Sequence, residues 1–532
     1  MARFCRVFVP LLVAVGCDGD RDPAPWGDSG EATSDTGPAS DTGPGEVDAD
    51  ADGYPAGEGR RDDCDDANPE VHPGATEHCD GIDEDCDGEV DDDALDADTW
   101  YRDIDGDGYA GSTPTEACTS PGDGWSLDQA DCDDGDPAVN PAAEELPCTG
   151  SDDDCDGSYG AGAALGADGT RYDTLGAAIT AATAGDTLTL CEGTLDENVV
   201  VDVPLSIVAL DGAVIDGGGR DSVLVVEADL VVTGATFQGG AARFGGLVYV
   251  EGGVLLALVD SRLYDGQADS GGCVWIGSGA RVTATGVDIR YCEAENTGGA
   301  VMVGTDATLE LSRAAIRDGA SLGEGGGLWL GEGAALTLVE SEISASQADD
   351  GGGLFAAGNN TCAADASSLV SGNRAEYGGG LYVAGAVAWT GGVFSGNRAA
   401  TGGGGVFVAD DVSFGAADWV VTANTAAVGA GIDAWGAVAL QSCEITDNDG
   451  NGLHLLGGSA IVDSCRVTGN SAAWGGGAYL YGSTLQSIDS DWGTGATDNA
   501  PDDVYIFANG DNHSFTGYGE GANFSCDEDC SE

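Results

Sequence analysis

The sequence predicts an all-β protein: a solenoid of stacked coils preceded by small modules rich in cysteine and aspartate. Glycine clusters recur at 245, 271, 298, 325, 351, 378, 402, 429, 451 and 475, so each period is one supersecondary unit. Within a period, short alternating strands such as Leu381 to Val383 precede a turn that contains asparagine. Between Asp48 and Gly157 an acidic, cysteine-containing passage occurs twice. These three observations define the prediction.

The first segment has the features of an export signal. Arg3 and Arg6 precede an apolar run from Val7 to Val15, and the run ends in Ala-Val-Gly-Cys at Cys17. This tetrapeptide resembles a bacterial lipoprotein processing site, which implies a signal peptide over 1–17 and lipidation of Cys17. An ordinary secretory signal or an uncleaved anchor is the alternative. We therefore expect a lipid-anchored protein of the bacterial cell envelope, at the outer membrane or cell surface.

Charge and composition limit the possible partners. The chain has 94 acidic residues against 17 basic ones, all arginine, for a net charge of −77. Such a charge disfavours nucleic acid and anionic membrane surfaces as partners. Residues 18–46 are rich in Gly, Pro, Asp, Ser and Thr, which predicts a disordered linker between the lipid and the folded part.

The repeated acidic passage predicts two metal-binding modules, over 47–92 and 98–160. A D-x-D-x-D-G spacing appears four times, in which alternate carboxylates can converge on one hard cation and the glycine permits a sharp turn. The candidate ligands are Asp48, Asp50, Asp52, Asp83, Asp85 and Asp87 in the first copy and Asp103, Asp105, Asp107, Asp152, Asp154 and Asp156 in the second.

Both copies also resemble the MopE-type metal-binding motif, a family named after a copper-related methanotroph surface protein. The resemblance covers Asp63-Cys-Asp-Asp66 to Gly88 and Asp131-Cys-Asp-Asp134 to Gly157. Oxygen-only ligands favour Ca²⁺, whereas copper prefers nitrogen or sulfur; His72 and His78 of the first copy keep copper as an alternative. Gly59 and Pro114 stand where an EF-hand has glutamate, so we expect affinities of about 10⁻⁴ to 10⁻³ M. An acidic spacer without specific ions is the remaining alternative.

Export would place the cysteines in an oxidising compartment. The sequence contains no CxxC pair, which disfavours a zinc site. The first copy has no counterpart of Cys118, so its disulfide set is expected to be incomplete. The number of cysteines outside the signal peptide and the lipidation site is odd, so one cysteine is expected to be unpaired. Cys443 and Cys465 occur in parallel contexts one coil apart, as a stacked pair or bridge would. The candidate disulfide cysteines are Cys64, Cys79, Cys86, Cys118, Cys132, Cys148, Cys155, Cys443, Cys465, Cys526 and Cys530, the last two stapling the C-terminal tail at 526–532.

The solenoid is predicted over 165–525. Asp173 to Cys191 is the one convincing helical stretch, with an apolar stripe at Leu175, Ala178 and Ile179, and it runs into an alternating strand at 187–190. This half resembles the right-handed parallel β-helix of the pectin-lyase-like superfamily, with the glycine and asparagine repeats of polymorphic outer-membrane adhesins. The resemblance implies about 12 to 14 coils. The asparagines expected to form a ladder are Asn373, Asn397, Asn424, Asn448 and Asn470.

The function predicted from these parts is adhesion or glycan binding, without catalysis. A polysaccharide lyase or hydrolase is the alternative, because many β-helices cleave acidic polymers; a copper-binding surface protein is another. A lyase needs a basic residue, and the repeats offer His454, His513 and scattered arginines. A hydrolase needs clustered carboxylates, but Asp349-Asp350 and similar pairs are interpreted as solvated turns. Aromatic residues that could stack on sugars are Tyr249, Trp275, Trp329, Tyr382, Trp435 and Tyr481.

Overall fold

The computed structural model describes residues 48–57, 62–143, 148, 151–157, 164–494, 497–507, 514–518 and 524–526. The predictions made for Cys17, the 18–46 linker, His513 and Cys530 lie outside these residues. Two compact units are present: one holds residues 48–99 and 116–121, and the other holds 100–115 and the chain from 122 onward. Within the described ranges, no helix combines the length and apolar character needed to cross a membrane.

The acidic modules consist mainly of turns. Their strands are Asp98–Arg102, Pro114–Ala117 and Trp125–Ser126, and Tyr101 pairs antiparallel with Ser126. With so little regular structure, these modules depend on disulfides and side-chain hydrogen bonds for their shape.

One α-helix, Leu175–Ala181, precedes the solenoid within the described part of the chain. Thr174 caps it by accepting from the backbone N–H of Ala177, and the Glu197 carboxylate accepts from the N–H groups of Leu175 and Gly176 (2.8 and 3.0 Å). Leu175, Ala178 and Ile179 are buried, as predicted. The helix is shorter than predicted because the backbone of Ala182 is extended.

Three parallel sheets form the solenoid, and twelve coils pass through sheets 1, 2 and 3 in turn. In the described part of the chain, the coils that begin at Thr484 and Ser514 contribute strands to sheets 1 and 3. Sheet 1 has 16 strands: Ala164–Leu165, Arg171–Tyr172, Thr187–Leu190, Leu205–Ala209, Leu230–Thr233, Leu255–Val259, Arg281–Thr285, Thr308–Ser312, Ala335–Val339, Asn360–Ala364, Val387–Thr390, Ser413–Ala417, Ala437–Gln441, Ser459–Asp463, Thr484–Ile488 and Ser514–Tyr518. The first two are antiparallel additions at its N-terminal edge.

Sheets 2 and 3 complete each coil. Sheet 2 has 12 strands: Gly193–Asp196, Ala213–Asp216, Thr236–Gln238, Arg262–Tyr264, Asp288–Arg290, Ala315–Arg317, Glu342–Ser344, Leu369–Ser371, Val393–Ser395, Val420–Thr422, Glu444–Thr446 and Arg466–Thr468. Sheet 3 has 14: Val199–Val201, Leu224–Val226, Val248–Val250, Val274–Ile276, Val301–Val303, Leu328–Leu330, Leu354–Ala356, Leu381–Val383, Val406–Val408, Ile432–Ala434, Leu453–Leu456, Ala478–Tyr481, Val504–Phe507 and Phe524–Cys526. Short strands lie between sheets 2 and 3: Ala241–Phe244, Gln267–Ser270, Glu293–Thr297, Ala320–Ser321, Arg374–Tyr377 and Arg398–Gly402.

Strand alternation places one face of every sheet in the core. Leu328 and Leu330 are fully buried while Trp329 between them points outward, and the same pattern repeats from coil to coil. Parallel pairing in register stacks each position on its equivalent one coil away, as in Leu328 on Leu354. The parallel β-solenoid predicted from the glycine period is confirmed.

The asparagine ladder is also confirmed. Asn397 donates from its backbone N–H and from Nδ2 to Oδ1 of Asn424 (2.9 and 3.0 Å), and its Nδ2 also donates to the carbonyl of Val370 (2.8 Å). Asn499, which the sequence analysis missed, extends the ladder, and the buried carboxylate of Asp503 accepts from its Nδ2. All six asparagines are buried.

Six disulfides join cysteines of the described residues, and one expectation about them is wrong. Cys79 of the first copy bridges to Cys118, so its disulfide set is complete. Cys443–Cys465 forms as expected, whereas the partners Cys191, Cys273 and Cys292 were not anticipated; the bridges are Cys64–Cys86, Cys79–Cys118, Cys132–Cys155, Cys148–Cys191, Cys273–Cys292 and Cys443–Cys465. Cys362 is a buried free thiol. The C-terminal staple of Cys526 and Cys530 stays a prediction.

Candidate functional site

The first D-x-D-x-D-G loop of each copy is closed by its leading aspartate. Asp48 accepts from the N–H groups of Ala51 (2.6 Å) and Gly53 (3.2 Å), and Asp103 accepts from Gly106 (2.6 Å) and Gly108 (3.1 Å). The sixth-place glycines have φ of +106° and +100°, a conformation that side chains disfavour. These bonds turn the following aspartates toward one point.

A downstream aspartate completes each cluster. Ligand oxygens of Asp50, Asp52 and Asp63 lie within 4.8 Å of one another. Asp63 is 1% exposed, and one oxygen of each of these three residues, Oδ2, is buried without a hydrogen-bond partner. In the second copy, the corresponding oxygens of Asp105, Asp107 and Asp131 also have no partner, and Oδ2 of Asp134 is a further one. Buried carboxylate oxygens without a partner are costly, so the repeated arrangement fits a bound cation.

The other carboxylate oxygens of these clusters are held by the backbone. Oδ1 of Asp52 accepts from Tyr54 and Oδ1 of Asp107 from Tyr109, both at 2.8 Å. Desolvation and neighbouring carboxylates raise the pKa of Asp50, Asp105 and Asp131. A raised pKa means that crowding penalises the charged form, and a cation among the oxygens would remove that penalty.

The second loops repeat this construction around Asp83 and Asp152. Asp83 accepts from the N–H groups of Asp87 (3.1 Å) and Gly88 (3.0 Å), and Asp152 accepts from Asp156 and Gly157 (both 3.0 Å). In the first copy, Glu77, Asp83 and Asp85 bring ligand oxygens within 4.8 Å of one another. The nearly buried Glu77 accepts from the N–H groups of Asp85 and Asp91.

The donor chemistry of these clusters is that of a hard cation. Cys64, Cys86, Cys132 and Cys155 are consumed in disulfides and offer no thiolate. His72 stacks against Tyr54 with ring centroids 5.0 Å apart, and His78 lies 3.6 Å from Asp96. Carboxylate oxygens are therefore the ligands that these clusters offer to a metal ion.

Sequence reasoning missed five residues of these clusters: Asp63, Asp66, Asp131, Asp134 and Glu77. Backbone hydrogen bonds fold Asp63 back onto the loop, since its N–H donates to Pro55 (3.0 Å) and its carbonyl accepts from Gly57 (3.1 Å). The sequence contains a signal for the four aspartates, because Asp-Cys-Asp-Asp occurs in both copies. The sequence analysis used this tetrapeptide as evidence of the family resemblance and did not interpret its aspartates as ligands.

A column of residues on the outward face of sheet 3 is aromatic at every coil from Tyr249 to Phe407 except at Met302. Tyr249, Trp275, Trp329 and Tyr382 belong to it, with Met302, Phe355 and Phe407. Phe355 and Tyr382 stack at 5.0 Å, and Trp329 is nearly parallel to Phe355. Because these rings stack on one another along the column, much of their face area is already covered. Trp435 and Tyr481 contact Phe407 and Phe507, respectively.

Two carboxylates lie in register beside this column. Glu324 and Asp350 are bridge partners on neighbouring coils, and Glu324 accepts from the indole N–H of Trp329 (2.9 Å). Desolvation, with Glu324, Asp349 and Glu376 nearby, raises the pKa of Asp350 to about 6. The interpretation of Asp350 as part of a solvated turn is therefore wrong, because it is partly buried and strand-paired.

His454, considered as a base for a lyase, is engaged on the same face. Its Nδ1 lies 2.6 Å from Oδ1 of Asp433, which is 1% exposed, and its ring stacks on Tyr479. Burial raises the pKa of Asp433, and the contact with His454 opposes that rise. In the described part of the chain, no arginine forms an ion pair with His454 or Asp433.

The fold and the acidic clusters define a class: a parallel β-solenoid protein with disulfide-held metal-binding modules. The family described as "Right handed beta helix region" matches residues 248–490, and the family described as "Putative metal-binding motif" matches residues 63–92 and 131–159. The chain thus carries two such motifs followed by a right-handed β-helix region. Neither the curated proteins nor the solved structures that were searched contain a match.

Proposed function

We propose that the protein is a calcium-binding protein of the bacterial cell envelope, lipid-anchored at Cys17, whose solenoid binds glycans or cell-surface partners. The calcium part is supported by one observation above all. Carboxylate oxygens without hydrogen-bond partners converge at equivalent positions in both copies of the acidic passage. The export signal and lipidation motif in the sequence support the envelope location.

Calcium should stabilise the acidic modules. At a Kd of about 1 mM, 10 mM Ca²⁺ adds about 1.4 kcal/mol per site to the free energy of unfolding. We expect Ca²⁺ to raise the melting temperature of residues 46–532, and Asp131→Asn to reduce the increase because it removes a carboxylate oxygen from the second copy. Asp128→Asn, an exposed residue of the same module, is the matched control.

Differential scanning calorimetry with Ca²⁺, Cu²⁺ or chelator measures these shifts. Stabilisation by Cu²⁺ and not by Ca²⁺ would reverse the choice of metal. No response to either ion would leave the carboxylate clusters without a cation and contradict the proposal.

Glycan contact is supported by the aromatic residues on the surface of the solenoid. Trp474 is 58% exposed and lies tilted against Tyr505 at 5.3 Å, so part of its ring can meet a sugar. The net charge of −77 favours neutral or cationic glycans over polyuronates.

A second function, glycoside hydrolysis, is favoured by Glu324 and Asp350. A carboxyl group with a pKa of about 6, that of Asp350, can act as a general acid, and the neighbouring carboxylate of Glu324 is held in place by the indole N–H of Trp329. The two functions differ in what happens to the polymer.

The two functions can be separated by one assay. For a binding protein, we expect retention on an insoluble polysaccharide without release of reducing ends, and loss of retention in Trp474→Ala. For a hydrolase, reducing ends should appear and should fall at least 100-fold in Glu324→Gln and Asp350→Asn. Glu295→Gln, an exposed carboxylate on the solenoid, is the control for both measurements. Reducing ends that persist in both carboxylate variants would remove this pair from consideration.

A further inference from the structure

We propose that each acidic module binds two cations and that the two are coupled through the Asp-Cys-Asp-Asp corner, defined as residues 63–66 in the first copy and 131–134 in the second. The chain would then bind four cations, as two coupled pairs. This inference rests on the proposed calcium binding and adds its stoichiometry and its cooperativity.

The upstream site of each pair is built largely outside the matched metal-binding motif. The loops 48–53 and 103–108 precede the matched residues, which begin at 63 and 131. The motif contributes Asp63 and Asp131, residues that are 1% and 5% exposed and whose Oδ2 atoms have no hydrogen-bond partner. Ligand oxygens of Asp63 lie near those of Asp50 and Asp52, and Asp131 interacts electrostatically with Asp105 and Asp107. Two buried, unpartnered oxygens at equivalent positions are evidence for a ligand that is independent of the D-x-D-x-D-G spacing.

The corner also holds the upstream loop directly. The last aspartate of each corner accepts a hydrogen bond from the upstream loop. Asp66 accepts from the N–H of Ala49 (2.9 Å), and Asp134 accepts from the N–H of Ile104 (2.8 Å). Asp63 and Asp131 accept from the N–H groups two residues ahead, both at 2.8 Å. The corner therefore has a fixed geometry when the upstream loop is ordered.

The downstream site is attached to the same corner by a covalent bond. Cys64 forms its disulfide with Cys86, which lies between Asp85 and Asp87, and the Cys64 N–H donates to Sγ of Cys86 (3.1 Å). Cys132 and Cys155 repeat the bridge and the 3.1 Å contact in the second copy. The residue next to an upstream ligand is thus bonded to the middle of the downstream loop.

This connection predicts positive coupling. A cation bound at the upstream site orders the corner, and the corner in turn holds Cys86 or Cys155 of the downstream loop. The downstream loop is then already partly ordered, so binding of the second cation costs less conformational entropy. Coupling free energies between sites commonly correspond to a five-fold or larger change in affinity. We therefore expect removal of the upstream site to weaken the downstream one by about five-fold or more.

The test is calcium titration of the disulfide-intact full chain by isothermal titration calorimetry. Asp50→Asn with Asp105→Asn replaces one unpartnered oxygen in each upstream site and keeps the Oδ1 that accepts from the backbone. We expect four Ca²⁺ per wild-type chain, two per chain in the double variant, and an at least five-fold rise in the Kd of the two that remain. Glu70→Gln with Asp128→Asn, both exposed, is the matched control and should bind four.

Each result has a separate meaning. Two Ca²⁺ per wild-type chain would overturn the upstream sites while leaving calcium binding by the matched motif intact. Four in the wild type and two in the variant, with an unchanged Kd, would overturn the coupling alone. No binding in any protein would defeat the proposed function itself. Circular dichroism of the variant in chelator, compared with wild type, confirms that the fold is retained.

Discussion

Replacing Asn424 with alanine should destabilise the solenoid by about 3 kcal/mol or more, because it interrupts the asparagine ladder at its centre. The side chain accepts from the N–H and Nδ2 of Asn397 and donates to the carbonyl of Phe394 (3.0 Å) and to Oδ1 of Asn448 (3.0 Å). Asn424 is fully buried, so water cannot replace these bonds. Each buried polar group left without a partner costs about 1–3 kcal/mol.

Urea unfolding followed by circular dichroism measures the loss, and hydrogen exchange locates it. Exchange should accelerate most in the coils that contain Asn397 and Asn448. Asn296→Ala is the matched control: its side chain is exposed, and the hydrogen bonds made there use its backbone carbonyl. The control should change stability by no more than about 0.5 kcal/mol. Equal effects of the two substitutions would show that the ladder contributes little to stability.

The ladder was predictable because the same asparagine-containing turn recurs in the periodic sequence. The turn that holds Asn373 recurs at Asn397 and in each later coil of the ladder, and the strands before these turns pair in parallel register although the asparagines are 22 to 29 residues apart. Asn499 was missed because alanine stands three residues before it in the sequence, where the other five have valine, phenylalanine or isoleucine. Local pattern identified the members of the repeat but not its end.

The contacts that were not predicted from the sequence are those between residues on different segments of the chain, because the folded path brings them together. Glu324 and Asp350 come into register only because one coil separates them, and neither stands in a recognisable motif. Asp63 reaches the upstream loop through two backbone hydrogen bonds to a segment that has no regular structure. Spacing within a loop predicted the ligands of that loop, whereas ligands supplied by another segment required the folded chain.

Cysteine pairing shows the same limit, since spacing alone does not fix connectivity. Cys148 was assigned to the second acidic module, yet its partner is Cys191, directly after the sheet 1 strand Thr187–Leu190. Cys191 is fully buried beside the N-terminal end of the solenoid. The bridge thus joins the acidic passage to the first coil, and the metal loop at Asp152 follows Cys148 by only a few residues.

Removing this bridge should have the second large effect. Cys148 and Cys191 are 43 residues apart, and the entropy of closing a loop of that size corresponds to about 4 kcal/mol. For Cys148→Ser with Cys191→Ser, we expect faster hydrogen exchange in Leu175–Ala181 and Thr187–Leu190, and loss of the protection that Ca²⁺ gives to these residues in the wild type. Hydrogen exchange with mass spectrometry, with and without Ca²⁺, measures both effects.

The matched control is Cys273→Ala with Cys292→Ala, which removes a bridge whose cysteines are 19 residues apart within the solenoid. It should lower global stability by about 3 kcal/mol on the same loop-closure argument but leave the calcium-dependent protection of Leu175–Ala181 unchanged. If both double variants lose that protection, the effect of calcium on the first coil depends on the global stability of the solenoid and not on the Cys148–Cys191 bridge. If neither loses it, the Cys148–Cys191 bridge does not transmit cation binding. Loss in the first variant alone would make the second acidic module a cation-dependent cap of the solenoid.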